Sequence, residues 1–229
     1  KISYKSMVEI PLHYLIGTVM FIDMVFIMAL ATIDIRKKRE KKKQEFVSFV
    51  IATRNSENIL EKTIGNIYSS VSDFELYVVN DASTDNTKEI LENLKAKYNF
   101  YLINNKKNKG KSASINQIIP KMKRKIIIIM DDDLLLTKKA FDDMLVRLEN
   151  PKVAGVSCPY KTFNQGVLPS MQQVEYNFLR LFQGCHNVYS AVHIWGGCMA
   201  VKREHFEKVG GFTKNAITED TDLALKLNK

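Results

Sequence analysis

The sequence predicts an α/β fold, a mostly parallel sheet with helices on both faces, preceded by one N-terminal apolar helix. Three observations carry that expectation. Short apolar runs alternate with segments whose apolar residues recur at helical spacing, the pattern of strand and crossover helix in a parallel sheet. One of those runs, Ile126 to Met130, leads straight into three carboxylates, Asp131, Asp132 and Asp133, with Leu134 to Leu136 behind them. A long apolar segment near the start is followed by a dense basic block.

Pro11 to Ile33 is apolar apart mainly from His13 and Asp23, and it is long enough to cross a hydrocarbon core of about 30 Å. A signal peptide has a shorter apolar region with basic residues before it, whereas here Arg36 to Lys43 come after. The expectation is a transmembrane helix over residues 11–35, an extracytoplasmic segment at 1–10 and a basic juxtamembrane linker at 36–45. Positive charge stays inside, so residues 46–229 form a cytoplasmic domain at the cell membrane. Asp23, near mid-span, costs about 2.5 to 3.5 kcal/mol on insertion scales and should face protein or water. Further transmembrane helices are implied, from this protein's own C-terminal part or from a partner subunit. A buried core helix of a soluble protein is the other reading of the same run.

Phe46 to Ala52 is the first predicted strand, with Thr53, Arg54 and Asn55 at its exit. Ile59, Leu60, Ile64 and Ile67 place a helix over Glu57 to Tyr68. Phe74 to Val79 is the second strand and Asn80 to Asp85 a polar turn. Thr84 or Asp85 caps a helix through Lys97 that carries Ile90, Leu91 and Leu94. Phe100 to Ile103 is the third strand, the Asn104 to Lys111 loop is basic and contains a glycine, and a helix to about Lys123 precedes the Ile126 strand. A helix around Phe141 to Leu148, a short strand Val153 to Cys158 and an amphipathic helix from Met171 to Cys185 follow. The apolar face of that last helix suits a core or a membrane interface equally. A final amphipathic helix opens at Ile217-Thr218-Glu219-Asp220 and bears Leu223, Leu225 and Leu227.

At 229 residues and 45% hydrophobic content the chain can bury a full core with an appendage. Its net charge is +9, but Arg36 to Lys43 alone hold +6 of it. The remainder is dispersed, which argues against nucleic acid as a partner. Cys158, Cys185 and Cys198 lack metal-ligand spacing and fit free thiols in a reducing compartment.

Ligands of open α/β sheets bind at the carboxyl ends of the strands, where the three aspartates fall. Crowded carboxylates repel one another, and a divalent cation with oxygen ligands is the usual reason to keep them together. A solvated acidic turn explains them as well. Asp81 would meet a ligand across the strand ends, or serve an Asx turn. Lys109-Gly110-Lys111 offers cations and a flexible backbone to a diphosphate, or is simply solvated. Gly196-Gly197 after Trp195 admits close approach of another group, or marks a core bulge. Asp220 is a helix N-terminal charge or an exposed base.

In order, Asn55, Asp81, Lys111, the Asp-x-Asp within Asp131 to Asp133, Gly197 and Thr218-Glu219-Asp220 resemble the family-2 inverting glycosyltransferases of GT-A fold. The likeness runs from Phe46 to the C-terminus and is nearest to the membrane-embedded processive synthases of poly-N-acetylglucosamine, hyaluronan, chitin and cellulose. The resemblance implies a UDP-sugar donor, with N-acetylglucosamine the favoured sugar, and a polysaccharide or sugar acceptor. It places Asn55 and Asp81 by the uracil and ribose, Lys111 near the base or the phosphates and Asp131 against the nucleotide. Asp133, with Asp131, would hold Mg²⁺ or Mn²⁺ on the diphosphate, while Asp132 sits at the variable position. Gly197, Cys198 and Glu219 fall at the acceptor site, and Asp220 matches the catalytic base.

Two departures stand out. Many relatives have proline and glutamate where this chain has Ala52 and Ser56. The synthases also carry a Gln-x-x-Arg-Trp motif after Thr-Glu-Asp, followed by more transmembrane helices, and neither occurs before Lys229. The expectation is therefore a GT-A domain whose C-terminal part is missing from this sequence. Transfer onto a lipid carrier and a truncated, non-catalytic sugar-nucleotide-binding homologue are the alternatives.

Overall fold

The computed structural model describes residues 12–36, 46–189, 196–214 and 216–228. The expected segment at 1–10, nearly all of the linker at 36–45 and Trp195 lie outside the described residues. Two compact units are present, Arg39–Tyr160 with Ala191–Lys229, and Lys1–Lys38 with Lys161–Ser190.

The larger unit is α/β. Its strands are β1 (Val47–Thr53), β2 (Phe74–Asn80), β3 (Tyr101–Asn104), β4 (Ile126–Met130), β5 (Gly155–Ser157) and β6 (Cys198–Lys202). They form one sheet in the order β3-β2-β1-β4-β6-β5. β1 to β4 are mutually parallel, β6 runs antiparallel to β4, and β5 runs antiparallel to β6. The expected parallel arrangement holds through β4. The apolar run Cys198 to Val201 adds an antiparallel strand that the sequence reading did not assign.

Period-two alternation sends the two faces of each strand into separate cores. Val47, Phe49 and Ile51 pack with Leu60, Ile64 and Ile67 of α2 (Leu60–Ser70), Leu91 of α3 (Thr87–Lys97) and Phe141 of α5 (Lys138–Leu148). Val50, Ile127, Ile129 and Val201 face Ile115 of α4 (Lys111–Asn116), Phe206 of α7 (Arg203–Lys208) and Leu223 of α8 (Glu219–Leu227). All five β4 residues are buried, as a strand covered on both sides requires.

Local chemistry sets the helix ends. The Thr137 hydroxyl accepts the Ala140 N–H at 3.2 Å and caps α5. Asp85 does not cap α3 from the adjoining position, which Asn86 holds, but its carboxylate accepts the Thr87 N–H at 3.1 Å. The helix expected to reach Lys123 stops at Asn116, and a 3₁₀ turn over Ile119–Lys121 replaces its end. Pro120 lacks the N–H that a continuing helix needs.

One consequence of the topology matters for function. The carboxyl ends of β1, β2 and β4 share one edge, and because β6 is reversed, its start at Cys198 pairs with Met130 on that same edge. Gly196 and Gly197 are thereby delivered to the end of the Ile126 strand.

The smaller unit holds α1 (Leu12–Arg36), a helix of 25 residues, and α6 (Val167–Tyr189), which pack against each other. α1 exposes Ile16, Val19, Met20, Phe21, Ile22, Val25 and Phe26, and α6 exposes Val167, Leu168, Met171, Val174 and Phe178. Among the described residues no helix is long and apolar enough to cross a membrane. The transmembrane helix expected over 11–35 is thus found as a helix, and a crossing is not shown.

Candidate active site

Four strand ends and the start of α8 build the candidate site. Asp131 follows β4 directly, and its N–H donates to Gly197 O at 2.7 Å, so the last β4 rung passes into the Gly196-Gly197 turn. From α4, the Lys111 ammonium reaches Asp131 Oδ1 at 2.6 Å, Glu219 Oε1 at 3.4 Å and Gly196 O at 3.4 Å. Asp220, on the first turn of α8, accepts the Gly196 N–H at 2.9 Å through Oδ2 and the Thr221 N–H at 2.8 Å through Oδ1. Lys111, Asp131, Glu219, Asp220 and Gly197, five of the sequence-predicted site residues, therefore meet at one place.

Two of these groups have shifted acidities. Burial pulls the Lys111 ammonium down, but the adjacent Asp131 and Glu219 carboxylates outweigh it and hold it above its ordinary value. Burial pushes the Asp131 carboxyl up and Lys111 pulls it down. Asp133 and Asp132 add like charge, and the net result lies above the ordinary value. The asymmetry has a simple origin. Lys111 has two acids to itself, whereas Asp131 has one cation and two acidic neighbours.

Asp133 is exposed beside this cluster. Asp132 turns back instead, accepting the Ser56 hydroxyl at 2.5 Å through Oδ2 and the Thr63 hydroxyl at 2.7 Å through its carbonyl. Ser56, noted only as a departure from relatives, is thus the partner of the middle aspartate.

Asp81 is buried and serves the 105–110 loop. Its Oδ1 accepts the Asn105 amide at 2.8 Å and the Lys109 N–H at 2.9 Å, and its Oδ2 accepts the Gly110 N–H at 2.7 Å. Burial raises this carboxyl, but the hydrogen bonds from Lys109, Asn105, Gly110 and Ser114 outweigh it and hold the group below its ordinary value. Asn55 is exposed at the β1 exit with φ 57°, a conformation that asparagine tolerates, and its Oδ1 accepts the Thr84 N–H at 2.8 Å.

Cys198 does not line the site as expected. Its thiol is buried in the core with Cys158, and the neighbouring Cys158 thiol, together with burial, raises Cys198 well above its ordinary value, while Cys158 is lowered. The reason is register. Cys198 is the first β6 residue, and strand alternation turns its side chain into the sheet face shared with β1 and α5.

Tyr160 was missed by sequence reasoning, and Gly196 was read only as half of a glycine pair that admits close approach. The Gly197 N–H donates to the Tyr160 hydroxyl at 2.7 Å, and burial pushes that phenol well above its ordinary acidity range. Both glycines are required by close approach. A Cβ on Gly196 would lie 3.0 Å from Asp220 Oδ2, and one on Gly197 would lie 3.0 Å from the Tyr160 ring carbon that bears the hydroxyl. The paired glycines were a signal that something approaches there, but nothing local in the sequence identifies Tyr160 as the group.

Among the described residues, no cluster of three or more His, Cys, Asp or Glu side chains could hold a metal by itself. Mg²⁺ and Mn²⁺ do not need one, since such ions are commonly bound by one or two carboxylates together with substrate phosphates and water. Asp131 and Asp133 supply two carboxylates at this edge, the second of them exposed.

Residues 48–210 match the model of Glycosyl transferase family 2. The chain is 25% identical over 196 residues to a poly-β-1,6-N-acetyl-D-glucosamine synthase of Staphylococcus epidermidis, covering 83% of this chain and 48% of that protein. It is 25% identical over 189 residues to the Staphylococcus aureus protein of the same name, covering 80% and 46%. The chain thus spans about half the length of the curated relatives it matches. Among solved structures, the mannosyltransferase PcManGT of Pyrobaculum calidifontis, in complex with GDP-Man and Mn²⁺, superposes with a TM-score of 0.73 at 20% identity over 92% of this chain and 61% of that one. TarS of S. aureus in complex with UDP-GlcNAc gives 0.58 at 16% identity over 81% and 53%. These likenesses establish the fold as GT-A. With most of its length inside the family model, the chain belongs to glycosyl transferase family 2.

Proposed function

We propose that this chain carries the catalytic machinery of a membrane-associated inverting glycosyltransferase that moves N-acetylglucosamine from UDP-N-acetylglucosamine onto a growing polysaccharide. The observation that carries this reading is the convergence of Asp131, Lys111, Glu219 and Asp220 around the Gly196-Gly197 turn. The named poly-N-acetylglucosamine synthases and the UDP-GlcNAc complex of TarS support the choice of donor.

In this mechanism the donor diphosphate lies across the carboxyl edge of the sheet. Lys111, already raised in basicity by its acids, stays charged and meets the phosphates, while Asp81 acts one step removed by fixing the loop from which Lys111 projects. Asp131 and Asp133 would hold a Mg²⁺ or Mn²⁺ ion, which supplies charge neutralisation for the departing UDP. Asp220 is the general base. Each of its oxygens accepts one backbone N–H, which leaves acceptor capacity for a sugar hydroxyl proton. That proton passes to Asp220 as the hydroxyl oxygen bonds to the anomeric carbon and the bond from that carbon to the diphosphate oxygen breaks. Attack opposite the leaving group inverts the anomeric centre.

The exposed apolar side chains of α1 and α6 support seating of the smaller unit in or on a bilayer, with the basic block after α1 at the cytoplasmic face. Asp220→Asn in the full-length protein tests the assignment. Polymer synthesis should fall by at least about 10²-fold while UDP binding, measured by calorimetry, is retained. Undiminished synthesis would sink it.

A further inference from the structure

The next step rests on the glycosyltransferase reading above. Among the described residues, the α/β unit runs to Tyr160 and resumes at Gly196, so these residues mark where the chain leaves and rejoins it. All four main-chain polar groups of the Gly196-Gly197 pair are engaged within the site. Gly196 N–H holds Asp220 at 2.9 Å, Gly196 O receives Lys111 at 3.4 Å, Gly197 O receives the Asp131 N–H at 2.7 Å, and Gly197 N–H is taken by the Tyr160 hydroxyl at 2.7 Å. Three of the four partners are the proposed base, the cation for the phosphates and the donor-side acid. Tyr160 is the fourth.

We propose that Tyr160 is a positioning residue for sugar transfer, its hydroxyl fixing the Gly196-Gly197 peptide and, through that peptide, the placement of Asp220 relative to Asp131. The hydroxyl accepts the Gly197 N–H at 2.7 Å, and Gly197 leaves room for it because any Cβ there would meet the phenol ring. Asp131 follows β4 and Asp220 opens α8, and both are tied to this turn, while Lys111 bridges Asp131 to Glu219 beside the base. A peptide free to rotate at Gly197 would loosen the hold of Gly196 on the base while leaving Lys111 and Asp131 paired.

Tyr160→Phe removes one oxygen and keeps the ring. In the full-length protein, with UDP-N-acetylglucosamine and Mn²⁺, its kcat should fall on the order of ten- to a hundredfold, the scale of a small misplacement of reacting groups. The donor KM and the UDP affinity should stay within about twofold, since the donor contacts are untouched. A merely structural role would instead lower the thermal midpoint and affect kcat and KM together. Gly197→Ala displaces the same phenol by another route and should give the same split. The double variant should be no slower than Gly197→Ala alone, because both changes remove one interaction. Wild-type kcat in Tyr160→Phe overturns the proposal, as does a loss confined to KM. Absence of turnover in the wild-type protein overturns the underlying glycosyltransferase reading instead, and the Asp220→Asn comparison identifies that case separately.

Discussion

Two carboxylates stand at the same edge of the sheet, Asp81 after β2 and Asp131 after β4, and their surroundings are opposite. Asp81 is buried and saturated by donors from the 105–110 loop, so its charge is welcome and its acidity increased. Asp131 is half-buried among Asp132 and Asp133 with one ammonium for relief, and its acidity is decreased. Each is an aspartate one residue past a buried strand. The first environment uses both carboxylate oxygens in holding a loop, and the second leaves charge poorly compensated. Poor compensation in the free protein is what a site for a cationic or proton-bearing ligand requires, and it is bought at the expense of stability. The contrast separates an acid that holds a loop from one whose charge is left partly uncompensated, without reference to any relative.

The largest effect expected is on Asp131. Asp131→Asn should cut transfer at least about 10²-fold, the scale of removing a group that acts on the transition state. Its effect on folding should stay within about 0.5 kcal/mol, because Lys111 keeps Glu219 at 3.4 Å and like-charge crowding is relieved. Urea titration beside an activity assay checks both, and a strongly destabilised Asp131→Asn would place this carboxylate in the same class as Asp81.

Asp81→Asn should show the reverse weighting. It turns one acceptor oxygen into an N–H donor facing the Lys109 and Gly110 N–H groups, and the loss of charge-assisted hydrogen bonds costs about 1.5 to 3 kcal/mol. Because the folded-state value of Asp81 lies below the ordinary 3.8, the unfolded chain binds its proton first, and the stabilisation is fully present above that value. The stability gap between wild type and Asp81→Asn should therefore be constant near neutrality and narrow as the pH falls through the acid range below it. A gap that persists unchanged at pH 2 would remove the ionised carboxylate from the explanation.

The same pair shows what could be read in the sequence. Strand ends were legible because five consecutive apolar residues followed by acids admit few other structures, and β1, β2 and β4 all appear where periodicity put them. The carboxyl edge as the place of chemistry followed from the parallel topology. What each acid does there was not legible, since Asp81 is defined by a loop 24 to 29 residues away and Asp131 by an ammonium from α4 and a carbonyl from the turn before β6. β6 was passed over because Cys198 to Val201 is short and follows a glycine pair that reads as a loop. Tyr160 had no local signal at all, its partner lying 37 residues along the chain. Cys198 was misassigned because the family pattern places a residue at a position, whereas strand alternation decides which way its side chain points.

Asp132 should give the mildest activity loss of the three consecutive acids, and the structure supplies a physical reason beyond its being the variable position. Its carboxylate is turned away from Lys111 and accepts the Ser56 hydroxyl, just ahead of α2, where a negative charge also complements the helix N-terminus. Asp132→Ala forfeits that hydrogen bond and part of the dipole interaction, about 1 kcal/mol in all, and the backbone carbonyl that receives Thr63 survives the change. Transfer should fall by less than about threefold. Ser56→Ala removes the same hydrogen bond from the other side but keeps the charge, so it should cost somewhat less, and the double variant should be close to Asp132→Ala alone. If Asp132→Ala abolishes transfer while Ser56→Ala does not, the carboxylate serves the donor directly, and the chain's metal-facing acids are assigned in the wrong register.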